Sequence, residues 1–329
     1  MELYIHSAGI ISAAGSNNTD TFPARQEAGV LYCAEPDYKD MIPPMQLRRM
    51  SKAVRIGIAA SKMSMQQVGI EKPDAISVGT AMGCLQDTEF FLTKMTEQDE
   101  QMLTPTAFIQ STHNTVSGQI ALLAGCYGHN LTYVHRGHSF EHAMINTALY
   151  LQEQPGEKMM VGGIDELTTG SLKAMQLAGL YKDAHNNGVT AGEGAAFFIA
   201  GDTAVANTVC VKDIDCFTAH DAQEALQHIS RFAERNAIAD VDCWVNGMNG
   251  DERDSFYNEL STSLFRNEPG ISFKQYCGEY ATASSFALGL IVDAVKNGFS
   301  KYGIDKSIKK IVMINHYKHY YSCWYMEWV

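Results

Sequence analysis

The sequence predicts a layered α/β fold, because short apolar segments alternate with segments of helical period. The apolar segments have the length and composition of buried strands, and they lie at residues 4–5 with 9–11, 75–79, 158–163, 195–200, 241–245 and 308–314. Helical period is clearest from Ser139, where one face carries Phe140, Ala143, Met144, Thr147 and Leu151, and from about Ala281, where one face carries Ala283, Phe286, Ala287, Leu290, Ile291 and Ala294. Strands and helices in alternation are typical of helices packed on a sheet.

Length and composition argue against several classes of function. The chain has 329 residues, of which 46% are hydrophobic, and this is enough for one large core or two fused half-domains. No apolar run reaches the roughly 20 residues of a membrane-spanning helix. The start, MELYIHSAGIIS, has no basic region followed by a long apolar one, so we expect a cytoplasmic protein. A net charge of −12 without a basic stripe argues against nucleic-acid binding.

The eight cysteines are scattered singly and include no CxxC pair. In a cytoplasmic chain such residues are mostly buried free thiols. The sequence therefore predicts neither a disulfide framework nor a cofactor. The cysteines are Cys33, Cys84, Cys126, Cys210, Cys216, Cys243, Cys277 and Cys323.

Seven segments carry glycine-rich turns and strand ends in a characteristic order. They read YIHSAGIISAAGSN, RRMSKAVRIGIAASKMSMQQVGI, ISVGTAMGCLQDTEFF, PTAFIQSTHNTVSGQIALLAGCYGHN, MMVGGIDE, YKDAHNNGVTAGEGAAFFIA and SFKQYCGEYATASSFALGLIVDAV. The most specific of them holds Gly188 and then Gly192-Glu193-Gly194-Ala195 before an apolar strand. The ordered set covers nearly the whole chain and resembles the β-ketoacyl synthase branch of the thiolase superfamily.

The resemblance implies a thiolase-like, five-layered αβαβα fold made of two similar halves. Residues 1–329 would form one ketosynthase-like unit, with an N-terminal half at about 1–200 and a shortened C-terminal half at 201–329. Such proteins usually pair, and the resemblance implies pairing through the strand near residues 158–163. Their chemistry needs a cysteine thiolate that takes the acyl group, two histidines that drive decarboxylation of the malonyl partner, and a backbone oxyanion hole.

The chain departs from this pattern at the nucleophile. Where the cysteine should stand, the sequence reads His135-Arg136-Gly137-His138-Ser139. The nucleophile position falls on Gly137 or His138, depending on how the following helix is aligned, and neither residue can form a thioester.

The other catalytic positions are also replaced. Met248, in the segment CWVNGMNGDERD, stands where the first histidine is expected and cannot transfer a proton. Lys274 and Gly278 of a Lys-x-x-x-Gly-His pattern remain, but Glu279 replaces the second histidine, and we expect it to pair with Lys274. The glycine-rich loop that helps form the oxyanion hole is replaced by MINHYKHYYSCWYMEWV. We expect its bulky residues Tyr317, Tyr320, Tyr321 and Trp324 to fill that space.

Two further interpretations concern the residues around the nucleophile position. His135 and His138 lie three residues apart, but a third Asp, Glu or Cys ligand is not evident beside them in sequence, so no metal site is predicted. Ser139 precedes the helical segment and is a plausible N-cap. As a replacement nucleophile, Ser139 would need His138 or His142 as its base.

The resemblance, with these departures, implies a β-ketoacyl-synthase-like subunit without catalytic residues, of the kind called a chain-length factor. Such a subunit forms a heterodimer with an active ketosynthase, and acyl and malonyl groups arrive on acyl carrier protein. The short chain resembles the subunits of aryl-polyene and flexirubin systems. The candidate relic pocket consists of Arg136, His138, Phe140 and Lys274. Two alternatives remain open: an acyltransferase or ketosynthase-like enzyme that acts through Ser139, His138 or Glu279, and a homodimer that binds a small ligand.

Overall fold

The computed structural model describes residues 2–24, 29–185, 188–238, 240–250, 254–266 and 268–329. Residues 186–187 and 251–253, which belong to two of the segments quoted above, lie outside the described residues. Among the helices of the described part, none is long and apolar enough to cross a membrane.

The first part of the chain forms strands β1 to β8 and helices α1 to α7. In chain order these are β1 (Leu3–Ser12), β2 (Gly15–Ser16), β3 (Val30–Leu31), α1 (Pro44–Leu47), α2 (Lys52–Val68), β4 (Ala75–Gly79), α3 (Leu85–Glu97), α4 (Pro105–Gln110), α5 (Thr115–Ala124), β5 (Asn130–Tyr133), α6 (Ser139–Glu153), β6 (Met159–Asp165), α7 (Thr169–Leu177), β7 (Ala191–Gly192) and β8 (Gly194–Gly201). A 3₁₀ turn, Arg136–His138, joins β5 to α6.

The second part repeats the alternation with shorter connections. In chain order it contains β9 (Val209–Thr218), α8 (Ala222–Arg235), β10 (Cys243–Asn246), α9 (Ser255–Ser263), β11 (Gly270–Ser272), α10 (Lys274–Cys277), α11 (Ala283–Asn297), β12 (Lys310–Tyr317) and β13 (Tyr320–Trp328). A 3₁₀ turn, Ser300–Tyr302, follows α11.

The strand order shows an internal duplication. The first part forms the order β5-β4-β6-β8-β1, and the second part forms β11-β10-β12-β13-β9. When the five strands of each order are numbered from one to five along the chain, which leaves out the short strands β2, β3 and β7, both orders read 3-2-4-5-1. In both, the second strand pairs in parallel with both neighbours, and the fifth strand pairs antiparallel with both neighbours. The two sheets join edge to edge where β1 pairs with β9. We propose that the halves divide between β8 and β9, within residues 202–208, close to the predicted boundary at residue 200.

Three separate apolar cores define five layers. One core lies between α2, α5 and the first sheet and includes Ile56, Val116 and Phe197. The largest core surrounds α6 and α11, which lie between the two sheets. A third core lies between the second sheet and α8 and α9 and includes Phe232 and Tyr257. Because adjacent strand residues face opposite sides of a sheet, each sheet contributes to two of these cores. The predicted fold class is confirmed.

The pairing strand expected near residues 158–163 is not available for a partner. This segment forms β6, which pairs with β4 on one side and with β8 on the other, so both rows of its backbone groups are already hydrogen-bonded. Among the strands in the described part of the first sheet, β5 pairs with β4 alone and leaves its other edge free. The expectation came from the resemblance and was wrong, because a resemblance between short segments does not fix the place of each strand in the sheet.

Candidate functional site

A cavity of about 320 Å³ opens at the carboxyl ends of β4 and β6, beside the turn that precedes α6. In layered α/β folds this end of a parallel strand pair is the usual place for a ligand. The cavity is lined by Ala81, Met82, Leu85, Arg136, Asp165, Glu166, Leu167, Ser171, Met175, Tyr181, Gly192, Tyr280, Ala281, Tyr317, Lys318 and Tyr320. Both halves of the chain therefore contribute to its walls.

The turn between β5 and α6 has a strained backbone at Arg136. Its φ of +50° is uncommon for a residue with a side chain. The hydroxyl of Ser139 closes the turn, because it accepts from the backbone N–H of His135 at 2.8 Å and donates to the carbonyl of Arg136 at 2.8 Å. Ser139 is itself helical and fully buried, and His138 stands at the N-cap, so the N-cap prediction is wrong by one residue.

Gly137, the first candidate for the nucleophile position, lies directly against the β12–β13 hairpin. A Cβ at this residue would stand 2.7 Å from the Cβ of Tyr320 and 3.0 Å from the Cβ of Tyr317. Contacts this short do not occur between carbon atoms in folded proteins, so the turn has no room for a side chain here. The hairpin therefore fills the space in front of the turn, as predicted for Tyr317 and Tyr320.

His138, the second candidate for the nucleophile position, is buried behind Tyr320. Its Nε2 donates to the carbonyl oxygen of Tyr321 at 3.0 Å. The Tyr320 ring crosses its imidazole edge to face, with ring centres 5.0 Å apart. Burial lowers the pKa of His138 to about 4, since a charged imidazole would lose its hydration. His138 is therefore neutral at pH 7.

Two further imidazoles lie beside His138. The Nδ1 atoms of His135 and His142 are 3.3 Å apart, and each of the three histidines offers a ring nitrogen within 4.8 Å of the others. His142 lies one helical turn after His138, on the same face of α6. From the sequence, His142 was a candidate base but was not recognised as a third ligand, although its four-residue spacing from His138 was the signal that could have identified it.

Asp165 links the two halves at the base of the cavity. One carboxylate oxygen accepts from the N–H of Ala81 at 2.8 Å and from the hydroxyl of Thr80 at 3.1 Å. The other accepts from the N–H and hydroxyl of Thr282, just before α11, at 3.1 and 2.9 Å. Burial raises the pKa of Asp165. These hydrogen bonds compensate for the cost of burying the group, and they fix the ends of β4, β6 and α11 relative to one another.

Glu166, the next residue, is also buried at the cavity wall. Its carboxylate accepts from the backbone N–H of Gln86 at 2.9 Å and of Ala53 at 3.2 Å. Burial raises the pKa of Glu166 to about 7. This acidic pair was not predicted from the sequence, and neither were Tyr181 and Tyr280. Two adjacent carboxylates directly after the strand MMVGGI were the available signal.

The two expected histidine positions lie in a packed polar region beside the cavity. The ammonium of Lys274 is 2.9 Å from a carboxylate oxygen of Glu279, and both residues are buried. The same ammonium donates to the carbonyl of His316. The geometry agrees with the predicted pairing of Lys274 and Glu279. Met248 follows β10, and its backbone N–H donates to the side chain of Asn246 at 3.3 Å.

Of the four residues predicted for a relic pocket, Arg136 lines the cavity and stands exposed at its rim. His138 lies behind Tyr320, and Lys274 is held by Glu279. Phe140 is fully buried in the central layer, stacked on Trp324 with ring centres 5.7 Å apart. His138 and Phe140 differ from the prediction because neighbouring residues at the start of a helix point in different directions, and Lys274 differs because its ammonium is paired with Glu279.

Two of the aromatic residues expected to fill this space point elsewhere. Tyr321 packs in the outer core of the second half, where its ring stacks on Phe217 at 5.4 Å. Trp324 belongs to the central core. The alternation of β13 explains Tyr321, which faces the opposite side of the sheet from Tyr320. Trp324 faces the same side as Tyr320 but lies four residues further along the strand.

Cys84 and Cys126 are unsuited to thiolate chemistry. Cys84 is fully buried, and burial raises its pKa to about 12. Cys126 is buried with its sulfur 3.7 Å from the carbonyl oxygen of Asp74. A reactive thiol needs exposure and a lowered pKa, so the geometry agrees with the structural role predicted for these residues.

Residues 23–169 match the family model of the N-terminal domain of β-ketoacyl synthases. The match confirms the resemblance predicted from the sequence for this part of the chain. No curated protein matches the chain in sequence.

Solved structures of ketosynthases share the fold over the whole chain. The ishigamide ketosynthase/chain length factor matches with a TM-score of 0.79 and 16% identity, covering 100% of both chains. A β-ketoacyl synthase from Burkholderia phymatum STM815 matches with a TM-score of 0.78 and 15% identity, covering 100% of this chain and 99% of the other. The ketosynthase ApeO in complex with its chain length factor ApeC, from Xenorhabdus doucetiae, matches with a TM-score of 0.78 and 14% identity, covering 100% and 98%.

Proposed function

We propose that this chain is a non-catalytic chain-length-factor subunit that pairs with an active ketosynthase in polyene-type or polyketide-type biosynthesis. The observation that carries the proposal is the turn before α6. Gly137 has no space for a side chain, because Tyr317 and Tyr320 stand within 3.0 Å of the position that a Cβ would take. A cysteine here would displace the hairpin that now covers the turn. The packing supports a subunit whose role is structural.

The surroundings of the turn support the same proposal. The hydroxyl of Ser139 is buried and engaged by two backbone groups, so it cannot serve as a replacement nucleophile without breaking the turn. Glu279 is paired with Lys274 and is not free to accept a proton from a substrate. The enzyme alternative therefore loses two of the three residues through which it would act.

The free edge of β5 supports pairing with another subunit. Four large apolar residues on this strand and on its flanking segments are exposed: Leu122 at 70%, Tyr127 at 92%, Leu131 at 42% and Val134 at 48%. We call Leu122, Tyr127, Leu131 and Val134 the β5 surface. An open strand edge flanked by exposed apolar residues invites association with another chain. Two of the similar structures are described as ketosynthases with a chain length factor, which supports a ketosynthase as the partner.

The cavity would then serve as part of the wall along which the partner's acyl chain lies. Its walls combine Tyr181, Tyr280, Tyr317 and Tyr320 with the apolar side chains of Leu85 and Met175. The bulk of these residues would limit the product length. The acyl and malonyl groups would arrive on acyl carrier protein bound chiefly by the partner, because a chain with a net charge of −12 repels an acidic carrier.

Intact-protein mass spectrometry tests the proposal. The chain is incubated with acyl-loaded and malonyl-loaded carrier protein, alone and together with a ketosynthase that co-purifies with it. We expect an acyl adduct on the partner and none on this chain. A stable adduct on this chain would overturn the non-catalytic assignment. No adduct on either protein, with a homodimer in solution, would favour the ligand-binding alternative, for which the cavity of about 320 Å³ is the supporting observation.

A further inference from the structure

We propose that His135, His138 and His142 form a binding site for one divalent transition-metal ion of the zinc type. The site lies at the junction of β5 and α6, where the rings of His135 and His138 contact the ring of Tyr320. The three residues each offer a ring nitrogen, and these atoms all lie within 4.8 Å of one another. The inference does not depend on the proposed chain-length-factor role.

The local backbone explains why three imidazoles converge. His138 stands at the N-cap of α6 and His142 in its first turn, so the four-residue spacing places both on one helix face. The 3₁₀ turn with its positive φ at Arg136 brings His135 back over this face. The hydrogen bond from the His135 N–H to the hydroxyl of Ser139 holds that geometry.

The spacing of the nitrogens fits a four-coordinate ion. Zinc–imidazole bonds of about 2.0–2.1 Å in a tetrahedron place the ligand nitrogens roughly 3.3–3.4 Å apart. The Nδ1 atoms of His135 and His142 are already 3.3 Å apart. The nitrogen of His138 lies within 4.8 Å of both, so a ring movement of up to about 1.5 Å completes the set.

The hydrogen bond of His138 orients it as a ligand. The carbonyl of Tyr321 can only accept, so the proton of His138 resides on Nε2, 3.0 Å away. In this tautomer Nδ1 carries the lone pair that a metal ion would bind. Ligating histidines usually donate their other ring N–H to a carbonyl or carboxylate, which fixes the tautomer. In this chain β13 supplies that partner.

The ligand set selects a class of metal. Within the described residues the cluster consists of imidazoles, which suit Zn²⁺, Co²⁺, Ni²⁺ and Cu²⁺, whereas Mg²⁺ and Ca²⁺ prefer oxygen ligands. Three protein ligands leave a fourth position for water. His135 is exposed, so an ion can enter from solvent. Because His135 and His138 flank Arg136, a bound ion would fix the turn at the rim of the cavity.

Metal titration of the full-length, tag-free chain tests the site. Zn²⁺ affinity is measured by competition with a chromophoric chelator, and Co²⁺ is used as a spectroscopic probe. We expect one ion per chain and the intense visible absorption of four-coordinate Co²⁺. His135→Ala and His142→Ala each remove a partly or fully exposed ligand and should weaken binding at least about tenfold. His220→Gln changes an exposed histidine outside the cluster and should leave the affinity unchanged.

Three results would overturn the proposal. They are the absence of saturable binding of one Zn²⁺, an unchanged affinity in both alanine variants, and a Co²⁺ spectrum of the weak six-coordinate type. Circular dichroism of each variant shows whether it is folded. Because His135 and His142 are not buried, their replacement should leave the fold intact.

Discussion

At the scale of single residues, the space around the turn before α6 is decided by one glycine. Because Gly137 has no side chain, the β12–β13 hairpin lies directly against the backbone of the turn. A Cβ at this position would lie 2.7 Å from Tyr320 and 3.0 Å from Tyr317. Packing thus accounts for a glycine at this position.

Gly137→Ala should destabilise the protein. The added methyl group overlaps Tyr320, and the required shift of the hairpin costs about 1–3 kcal/mol of the free energy of unfolding. Urea unfolding measures the change. Gly118→Ala is the matched control, because a Cβ added there would meet no atom within 4 Å and the residue stands inside helix α5. The control should be neutral or stabilising by up to about 1 kcal/mol, and equal effects at both sites would contradict the packing argument.

Glu166 makes stability depend on pH. Its pKa is raised from 4.5 to about 7 by burial, so the folded state holds the proton more tightly than the unfolded state. The contribution of Glu166 to stability therefore falls as pH rises from about 4.5 through 7. Glu166→Gln removes the ionisation, so the free energy of unfolding of the variant relative to the wild type should rise with pH, by up to about 3 kcal/mol.

Urea unfolding of the Glu166→Gln variant and the wild type at several pH values between 4.5 and 8 measures this difference. The other ionisable groups are the same in both proteins. The difference between their free energies of unfolding therefore reports on the Glu166 carboxyl group. Parallel pH profiles would show that Glu166 ionises in the folded state as it does in water.

At the scale of secondary structure elements, β5 has an unusual position. It has four residues, pairs with β4 on one side, and is followed by the turn that holds Arg136 and then by α6, which carries His142. The β5 surface therefore adjoins both the proposed partner contact and the proposed metal site. Changes in this short strand can therefore affect both proposed sites.

Leu131→Lys should weaken association with the partner at least about tenfold. A lysine on an open strand edge opposes pairing, because its charge must stay hydrated. Analytical ultracentrifugation or native mass spectrometry measures the dissociation constant. Val205→Lys is the control, since Val205 is 53% exposed in the segment between β8 and β9, away from the β5 surface. Equal association of both variants and the wild type would exclude β5 as the contact.

At the scale of the whole molecule, the fold places two equivalent half-domains around one pair of central helices. The shared strand order of the two halves and the joint between β1 and β9 explain how a short second half completes the architecture. Asp165 of the first half accepts hydrogen bonds from Thr282 of the second half and so holds the halves together at the base of the cavity. The molecule thus shares the fold of the ketosynthase structures around a turn that is closed by packing.

The sequence by itself determined the α/β class, the position of several strands and the resemblance to β-ketoacyl synthases. These features depend on local periodicity and on the order of the glycine motifs, both of which can be read from neighbouring residues. The resemblance also led us to expect that Gly137 or His138, Met248 and Glu279 stand in catalytic positions, and that Glu279 pairs with Lys274 five residues earlier.

Only the tertiary structure decided which residues share a site. Phe140 and Trp324 turn into the central core, whereas Asp165, Glu166 and Tyr280 meet at the cavity from distant parts of the chain. The convergence of His135, His138 and His142 depends on the backbone turn at Arg136, and the free edge of β5 depends on strand order. The physical reason is the same in each case: side-chain direction and strand neighbours are set by long-range packing, which periodicity along the chain does not specify.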